Sequence, residues 1–359
     1  MRPPTVFDCF CGLGGLSLGA QLAGCEVLGG VDADPSAVKV FARTFPKADA
    51  REHDLLQEKP RAILRKFGLV RGDVDILVGG PPCQPYSVNN HQRSTHDIRC
   101  GLVQRYLEFV TTLRPSWLVI ENVPGFASIE QGAFLRALLR SLRARQYAAD
   151  FVLVDAAMFG VPQRRRRLVI LAGRDPAKLR HAINDLASCR SNIITVGQAI
   201  GDLPDRPSKE ALYRGPAKSN FRKAMREQAP TKILSHIGAG LGATNLRRIS
   251  HVPPGGNWRD IPRHLLPSGM KRARLSDHTT RYGRLHESRP SFTLLTKCDP
   301  HWGCFVHPVQ DRVITIREAA RLQSIPDRVS FPDSMSDSYR LIGNAVPPLL
   351  AKGILELLK

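Results

Sequence analysis

The 359-residue chain has no apolar run near the roughly 20 residues that a membrane helix requires, so a helical membrane span is excluded. It has no internal repeat and no low-complexity tract. Its eight cysteines, at 9, 11, 25, 83, 100, 189, 298 and 304, nowhere show CxxC spacing. Cys9-Phe10-Cys11 is too close for an ordinary bridge and has no second ligand pair for zinc. His91 and His96 have no third ligand in register, so no metal site is expected. With no secretory signal ahead of the first strand, reduced thiols in a soluble, cytoplasmic protein are the expectation. Acid is also scarce: 32 Asp and Glu stand against 52 Lys and Arg, giving a net charge of +20 spread along the whole sequence. Such a field attracts polyanions, and nucleic acid is the leading partner; the alternative is a merely soluble basic protein.

What is present centres on Asp75-Ile-Leu-Val-Gly-Gly-Pro-Pro-Cys-Gln-Pro-Tyr-Ser87. Ile76–Val78 reads as a buried strand, stopped by two glycines and two prolines that send the chain out in a stiff direction. Cys83 is the first reactive side chain beyond that stop, at the carboxyl end of a strand, where open α/β sheets place their ligands. Taken alone, a free cysteine is more often a small buried hydrophobe. Its neighbours along the chain decide between the two readings.

A strand over Thr5–Phe10 runs into Cys11-Gly-Leu-Gly-Gly15 and then a helical pattern, the nucleotide-binding opening of a doubly wound sheet. The spacing is G-x-G-G, not the dinucleotide G-x-G-x-x-G. A second strand, Glu26–Val31, ends at Asp32, placed to accept both ribose hydroxyls of a nucleoside; Asp34 before Pro35 equally suits a helix cap. Asp54-Leu55 is expected to close a third strand and face an adenine, with a capping role for Asp54 as the competing reading. Ser87–Arg99 is too polar for core and too long for a tight turn, which suits a functional lid anchored by Asp97 and Arg99. Ser116–Ile120 is a further strand, and the carboxylate of Glu121 follows at its end. Gln131–Arg145 is an amphipathic helix with a solvent-facing arginine side.

Phe151–Asp155 and Leu168–Ala172 read as a final antiparallel pair, separated by Gly160-Val-Pro-Gln-Arg-Arg-Arg-Arg167. Strand alternation sends Arg165 and Arg167 to one face and Arg164 and Arg166 to the other. From about Ser191 the regular alternation of strands and helices stops. His251–Arg259 forms a loop whose Asn257, Trp258 and Arg259 offer polar and aromatic groups to base edges, and Lys271, Arg272 and Arg274 add phosphate-binding charge. Helical sequence returns at Ile316–Gln323 and, after Gly343-Asn-Ala-Val-Pro-Pro348, at Leu349–Leu358.

Phe10-x-Gly-Leu-Gly-Gly15, Pro81-Pro-Cys-Gln84, Glu121-Asn-Val123, Gln163–Arg167 and Gly343–Pro348 occur in that order. Together they resemble the motifs of the bacterial-type C5-cytosine-specific DNA methyltransferases, over residues 5–173 and about 284–358. The resemblance implies an α/β fold: a Rossmann-like, mostly parallel sheet with one reversed strand, joined to a smaller, loop-rich target-recognition domain. The expected division is a catalytic domain over 1–190 completed by a C-terminal helix in 338–359, a recognition domain over 191–315, and a hinge over 316–337. S-adenosylmethionine is the implied cofactor and double-stranded DNA the implied partner, for a monomer that a cognate restriction endonuclease accompanies genetically. By the same resemblance Cys83, Glu121, Arg165 and Arg167 are catalytic, and Gln84, Ser87 and Asn89 join Asn257, Trp258 and Arg259 on DNA. Phe10, Gly12, Leu13, Gly14, Gly15, Asp32, Asp54, Leu55, Pro81 and Asn344 surround the cofactor. Asp32 replaces the commoner glutamate, and Arg99-Cys100-Gly101 departs from the usual residues after the lid. Three alternatives remain open: methylation of an exocyclic amine, against which Cys83 argues; a tRNA-cytosine enzyme of the same fold; and a catalytically silent DNA-binding protein.

Overall fold

The computed structural model describes residues 2–81, 100–274 and 280–359. The chain forms two compact units: Met1–Phe159, Arg166–Ser191 and Val346–Lys359 in the first, Gly160–Arg165 and Asn192–Ala345 in the second. Among the described residues no helix is long and apolar enough to cross a membrane.

The first unit is built on β1 (Thr5–Cys9), β2 (Glu26–Asp32), β3 (Asp49–Glu52), β4 (Ile76–Gly79), β5 (Trp117–Asn122), β6 (Ala148–Asp155) and β7 (Arg166–Gly173). They lie in the order β3-β2-β1-β4-β5-β7-β6. Neighbours from β3 to β5 pair in parallel, while β7 runs antiparallel to both β5 and β6 and is the one reversed strand. The fold is thus the mixed α/β sheet expected. Ile76–Val78, Leu118–Ile120 and Leu168–Ala172 are buried throughout, because strands covered on both faces need continuous apolar runs. The edge strand β6 instead leaves Phe151 and Leu153 partly exposed.

Among the described residues, six α-helices precede the second unit's main span: α1 (Gly15–Leu22), α2 (Pro35–Thr44), α3 (Pro60–Lys66), α4 (Cys100–Leu113), α5 (Ala133–Arg143) and α6 (Pro176–Ser188). One core cluster joins Phe7, Ile63, Tyr106, Phe109, Leu118, Phe126 and Leu139. Helix α5 starts two residues later than its periodicity suggests. Glu130 and Gln131 adopt left-handed backbone with φ of 47° and 55°, which breaks the helix ahead of Gly132. The C-terminal helix, Pro348–Glu356, packs on α1 at backbone distance: a Cβ at Gly19 would lie 2.3 Å from Ala351 Cβ. Gly15 is equally tight, its absent Cβ falling 2.2 Å from the Val346 carbonyl oxygen. Small residues one helical turn apart therefore fasten the end of the chain to the loop-bearing helix.

In the second unit the described residues form isolated bridges rather than named strands, with short helices over Val196–Ile200, Asn220–Arg226, Ala243–Ile249, Ile316–Leu322 and Met335–Asn344. A small apolar cluster of Ile249, Val252, Trp258, Ile261, Met270, Tyr282 and Val306 sits within it. Ile316–Leu322 is buried along its whole length, charged residues included. Arg321 bonds Asp327 at 2.5 Å and Asp202 at 3.1 Å, and Arg317 donates to the Val329 carbonyl at 2.6 Å. Residues 316–337, read from sequence as a hinge, thus pack inside the second unit, and the chain passes to the first at Val346. Periodicity cannot see this, because an arginine-bearing helix looks solvated until its buried counter-ions are known.

Candidate active site

The loop after β1 turns through left-handed backbone, which costs little at its glycines and is strained at Phe10. Phe10 has φ 61°, Gly12 φ 53° and Gly14 φ 94°. A Cβ at Gly12 would meet nothing within 4 Å, so the backbone there borders open space. Asp32, the last residue of β2, accepts from Gly12 N at 2.8 Å and from Asp34 N at 2.9 Å. Burial raises its pKa, opposed by those two backbone donors. Asp34 also caps α2, accepting from Ser36 N at 2.9 Å.

Asp54 corrects an expectation. β3 ends at Glu52, and Asp54 begins a turn in which its own carboxylate accepts from Leu56 N at 2.9 Å. The capping reading describes it, because a short acidic side chain bonds the backbone two residues on more readily than it continues a strand. Leu13 and Leu55 are 1% and 2% exposed, so they lie in the interior beneath the loops. Asn344 ends the Met335–Asn344 helix, is exposed and belongs to the second unit.

The carboxyl ends of β4 and β5 bring together a second group. Asn122 Nδ2 donates to the Pro81 carbonyl at 3.1 Å, and Asn122 Oδ1 accepts from Val123 N at 2.9 Å. One amide, to which sequence reading gave no role, thereby ties the two strand exits. Tyr106 OH holds β4 from below through the Leu77 carbonyl, at 2.9 Å. Glu121 is 8% exposed, and its Oε2 would lie 3.7 Å from a Cβ on Gly80. Its Oε1 is 2.7 Å from Arg167 Nε, an ion pair without hydrogen-bond alignment, so that buried oxygen keeps its acceptor capacity. Cys83 follows Gly80 by three positions and lies outside the described residues, as do Gln84, Ser87, Asn89 and the Asp97–Arg99 pair.

Burial alternates along the arginine run, with Arg164 and Arg166 exposed and Arg165 and Arg167 buried. Within the second unit, Arg165 Nη2 donates to the Gly343 carbonyl at 2.9 Å and the Ala345 carbonyl at 3.1 Å. Gln163 is fully buried and links three strands of chain, donating to Leu322 O and Gln323 Oε1 and accepting from Leu294 N.

The model of the C-5 cytosine-specific DNA methylase family matches residues 5–359. The chain belongs to that family. It is 31% identical to the type II methyltransferase M.AgeI of Thalassovita gelatinovora, with 98% of each chain covered. It is also 31% identical to M.XorII of Xanthomonas oryzae, over 99% of this chain and 84% of that one. A solved structure described as a DNA modification methyltransferase encoded within an E. coli prophage superposes with TM-score 0.79 at 27% identity, covering 99% of this chain and 98% of that chain.

This DNA (cytosine-5-)-methyltransferase acts on DNA, and its family implies S-adenosylmethionine as methyl donor. The loop of the first unit fits that molecule: open backbone at Gly12 offers room, and each oxygen of Asp32 retains a lone pair for a ribose hydroxyl. The methyltransferase's expected DNA contacts fare differently. Trp258 is 4% exposed inside the apolar cluster of the second unit, so its ring is core and not offered to a base. Asn257 accepts from Arg259 N at 3.2 Å and caps the one-turn helix Trp258–Asp260, which takes up its side-chain oxygen. A tryptophan in a Pro/Gly-rich loop looks displayed because spacing does not reveal the small cluster that the loop folds over. Arg259 is exposed.

Asp8 in β1 escaped notice in the sequence. It is fully buried; Oδ2 accepts from Ser17 Oγ at 2.7 Å, while Oδ1 has no partner among the described residues. Burial, with a smaller push from Asp32, raises its pKa to about 7 against the Ser17 bond. The folded protein therefore holds a proton between about pH 4 and 7 that the unfolded chain has released. Stability falls as pH rises across that window and is flat above it. Asp8→Asn should melt higher than wild type at pH 8, by roughly 2–4 kcal/mol of stability, with the gap closing toward pH 4. Parallel melting-temperature profiles for the two proteins would contradict this.

Proposed function

We propose that this enzyme methylates C5 of a cytosine extruded from a specific duplex sequence, through a covalent bond between Cys83 and C6. The observation that carries the reading is the carboxylate of Glu121, buried against Gly80 at the strand exit that leads to Cys83, with one oxygen unaligned to any donor among the described residues. C5 of cytosine is too weak a nucleophile to take a methyl group unaided. Addition of the Cys83 thiolate to C6 makes the ring an enamine, while Glu121 holds a proton at N3 as charge builds there. Bound S-adenosylmethionine supplies an electrophilic methyl on a sulfonium. The C5 proton then passes to water as the thiolate leaves C6 by elimination.

Arg167 holds Glu121 in place through its 2.7 Å ion pair. Arg165, fixed by two carbonyls of the Gly343–Ala345 segment, is the candidate for the base carbonyl. Phe10, Gly12, Asp32 and Pro81 form the side of the first unit on which the cofactor rests, and the exposed Arg259 binds phosphate. The Ser87–Arg99 segment, by its polar sequence, closes over the extruded base and fills the vacated duplex. Residues 191–315 read the target sequence. Relatives named as type II methyltransferases support a restriction-modification setting, and the proposal takes the enzyme as a monomer in a bacterial cytoplasm with an endonuclease as its genetic partner. Bisulfite sequencing of DNA from cells expressing the chain tests the reading. One consensus carrying a single protected cytosine is expected; absent or random protection would contradict it.

A further inference from the structure

Of the chain's three tryptophans, Trp258 is core and Trp117 partly buried, but Trp302 in the second unit is 58% exposed. An indole normally buries most of its surface, so a large exposed ring that is also rigidly held needs a reason. Trp302 is held. Asp299 caps its one-turn helix, accepting from His301 N at 2.7 Å. The His301 ring meets the indole edge-on at 4.8 Å and the ring of Tyr282 at 5.9 Å. Tyr282 is itself core, with its hydroxyl bonded to Asn245 and Arg248. The Arg281 guanidinium stands 5.5 Å from the indole centroid.

The position matters as much as the exposure. Gly303, directly after Trp302, has φ 100°, and a Cβ there would lie 2.5 Å from Leu295 Cδ1. The Leu295 carbonyl in turn would lie 2.6 Å from a Cβ on Gly343, and the Gly343 carbonyl is the one gripped by Arg165. All within the second unit, the backbone that follows Trp302 packs closely on Leu295, and the Leu295 backbone on the Gly343 segment that Arg165 grips.

We propose that Trp302 and Arg281 form a DNA-contacting pair on the second unit, the indole packing on a base or deoxyribose and Arg281 binding a phosphate. A flat apolar ring against a guanidinium matches what a nucleotide displays, a π-face and an anionic ester, and the net charge of +20 complements the same partner. The pair is pre-assembled, so binding does not have to order it.

The inference rests on DNA being the substrate, and its test reads binding, not methyl transfer. The full-length enzyme is titrated with sheared, unmethylated plasmid DNA, with saturation followed by polarisation of a labelled fragment. Saturating DNA is expected to protect wild-type tryptophan fluorescence from acrylamide. Trp302→Phe, in which only Trp117 and Trp258 report, should lose that protection while still binding. Trp302→Ala should bind about tenfold more weakly with the same salt dependence. Arg281→Gln should lower the slope of log K against log salt by about one. Unchanged acrylamide access at saturating DNA, or wild-type affinity for Trp302→Ala, would overturn the proposal and leave the surface to some other partner. Loss of methylation with DNA-dependent protection intact would count against the catalytic reading alone.

Discussion

Cys83→Ser is expected to reduce methyl transfer by at least about a thousandfold while leaving DNA affinity within about twofold of wild type. A serine hydroxyl is nearly the same size as the thiol, so the loss cannot come from a collapsed site. It comes from chemistry. A thiol with an ordinary pKa near 8.5 needs only modest electrostatic help to present a thiolate at neutral pH, whereas an alkoxide is out of reach. Cys9 and Cys11 do not substitute: burial pushes both thiols well above their usual pKa, which keeps them protonated. Transfer of labelled methyl groups to plasmid DNA measures the rate, and polarisation of a labelled fragment measures binding. Turnover near wild type in the serine enzyme would remove the covalent step.

Glu121→Gln is expected to lower kcat by about 10²–10⁴ with little change in KM for DNA. Glutamine keeps the shape beside Gly80 but neither carries a proton to N3 nor compensates Arg167. Because Glu121 and Arg167 are buried together, removing the carboxylate also leaves a guanidinium without its counter-ion, and some stability goes with it. Melting curves separate the two effects: a folded variant with intact DNA binding and a collapsed kcat is the predicted combination. If kcat and melting temperature fell together, and Arg167→Met restored both, Glu121 would be structural.

Much of the sheet was legible because its strands are buried on both faces. Ile76–Val78 and Leu168–Ala172 read as strands with no knowledge of their partners, and the burial alternation at Arg164–Arg167 follows from the two-residue period of a strand. Local chemistry was less legible wherever one residue type serves two ends. Asp54, two residues past β3, reads equally as an adenine ligand or as the cap of a turn, and its carboxylate bonds the Leu56 N–H. Trp258 resembles a displayed aromatic and is the core of a small cluster, while Trp302 passed unremarked and is the exposed one. Asp8 and Asn122 were invisible for a different reason. Their roles lie in a Ser17 hydroxyl nine residues away and a Pro81 carbonyl 41 residues away, pairings that no local pattern announces. The same holds for the helix that carries Arg317 and Arg321, whose buried partners include Asp202, more than a hundred residues away in sequence.

The central claim is a transient bond between one sulfur and an unstacked pyrimidine. A duplex carrying 5-fluorocytosine at the methylated position blocks the final elimination, because fluorine cannot leave C5 as the proton does. Incubation with this duplex and S-adenosylmethionine should yield a denaturant-stable conjugate whose peptide map places the DNA on Cys83, and Cys83→Ser should yield none. A wild-type enzyme that methylates the ordinary duplex yet never accumulates that conjugate would contradict the account.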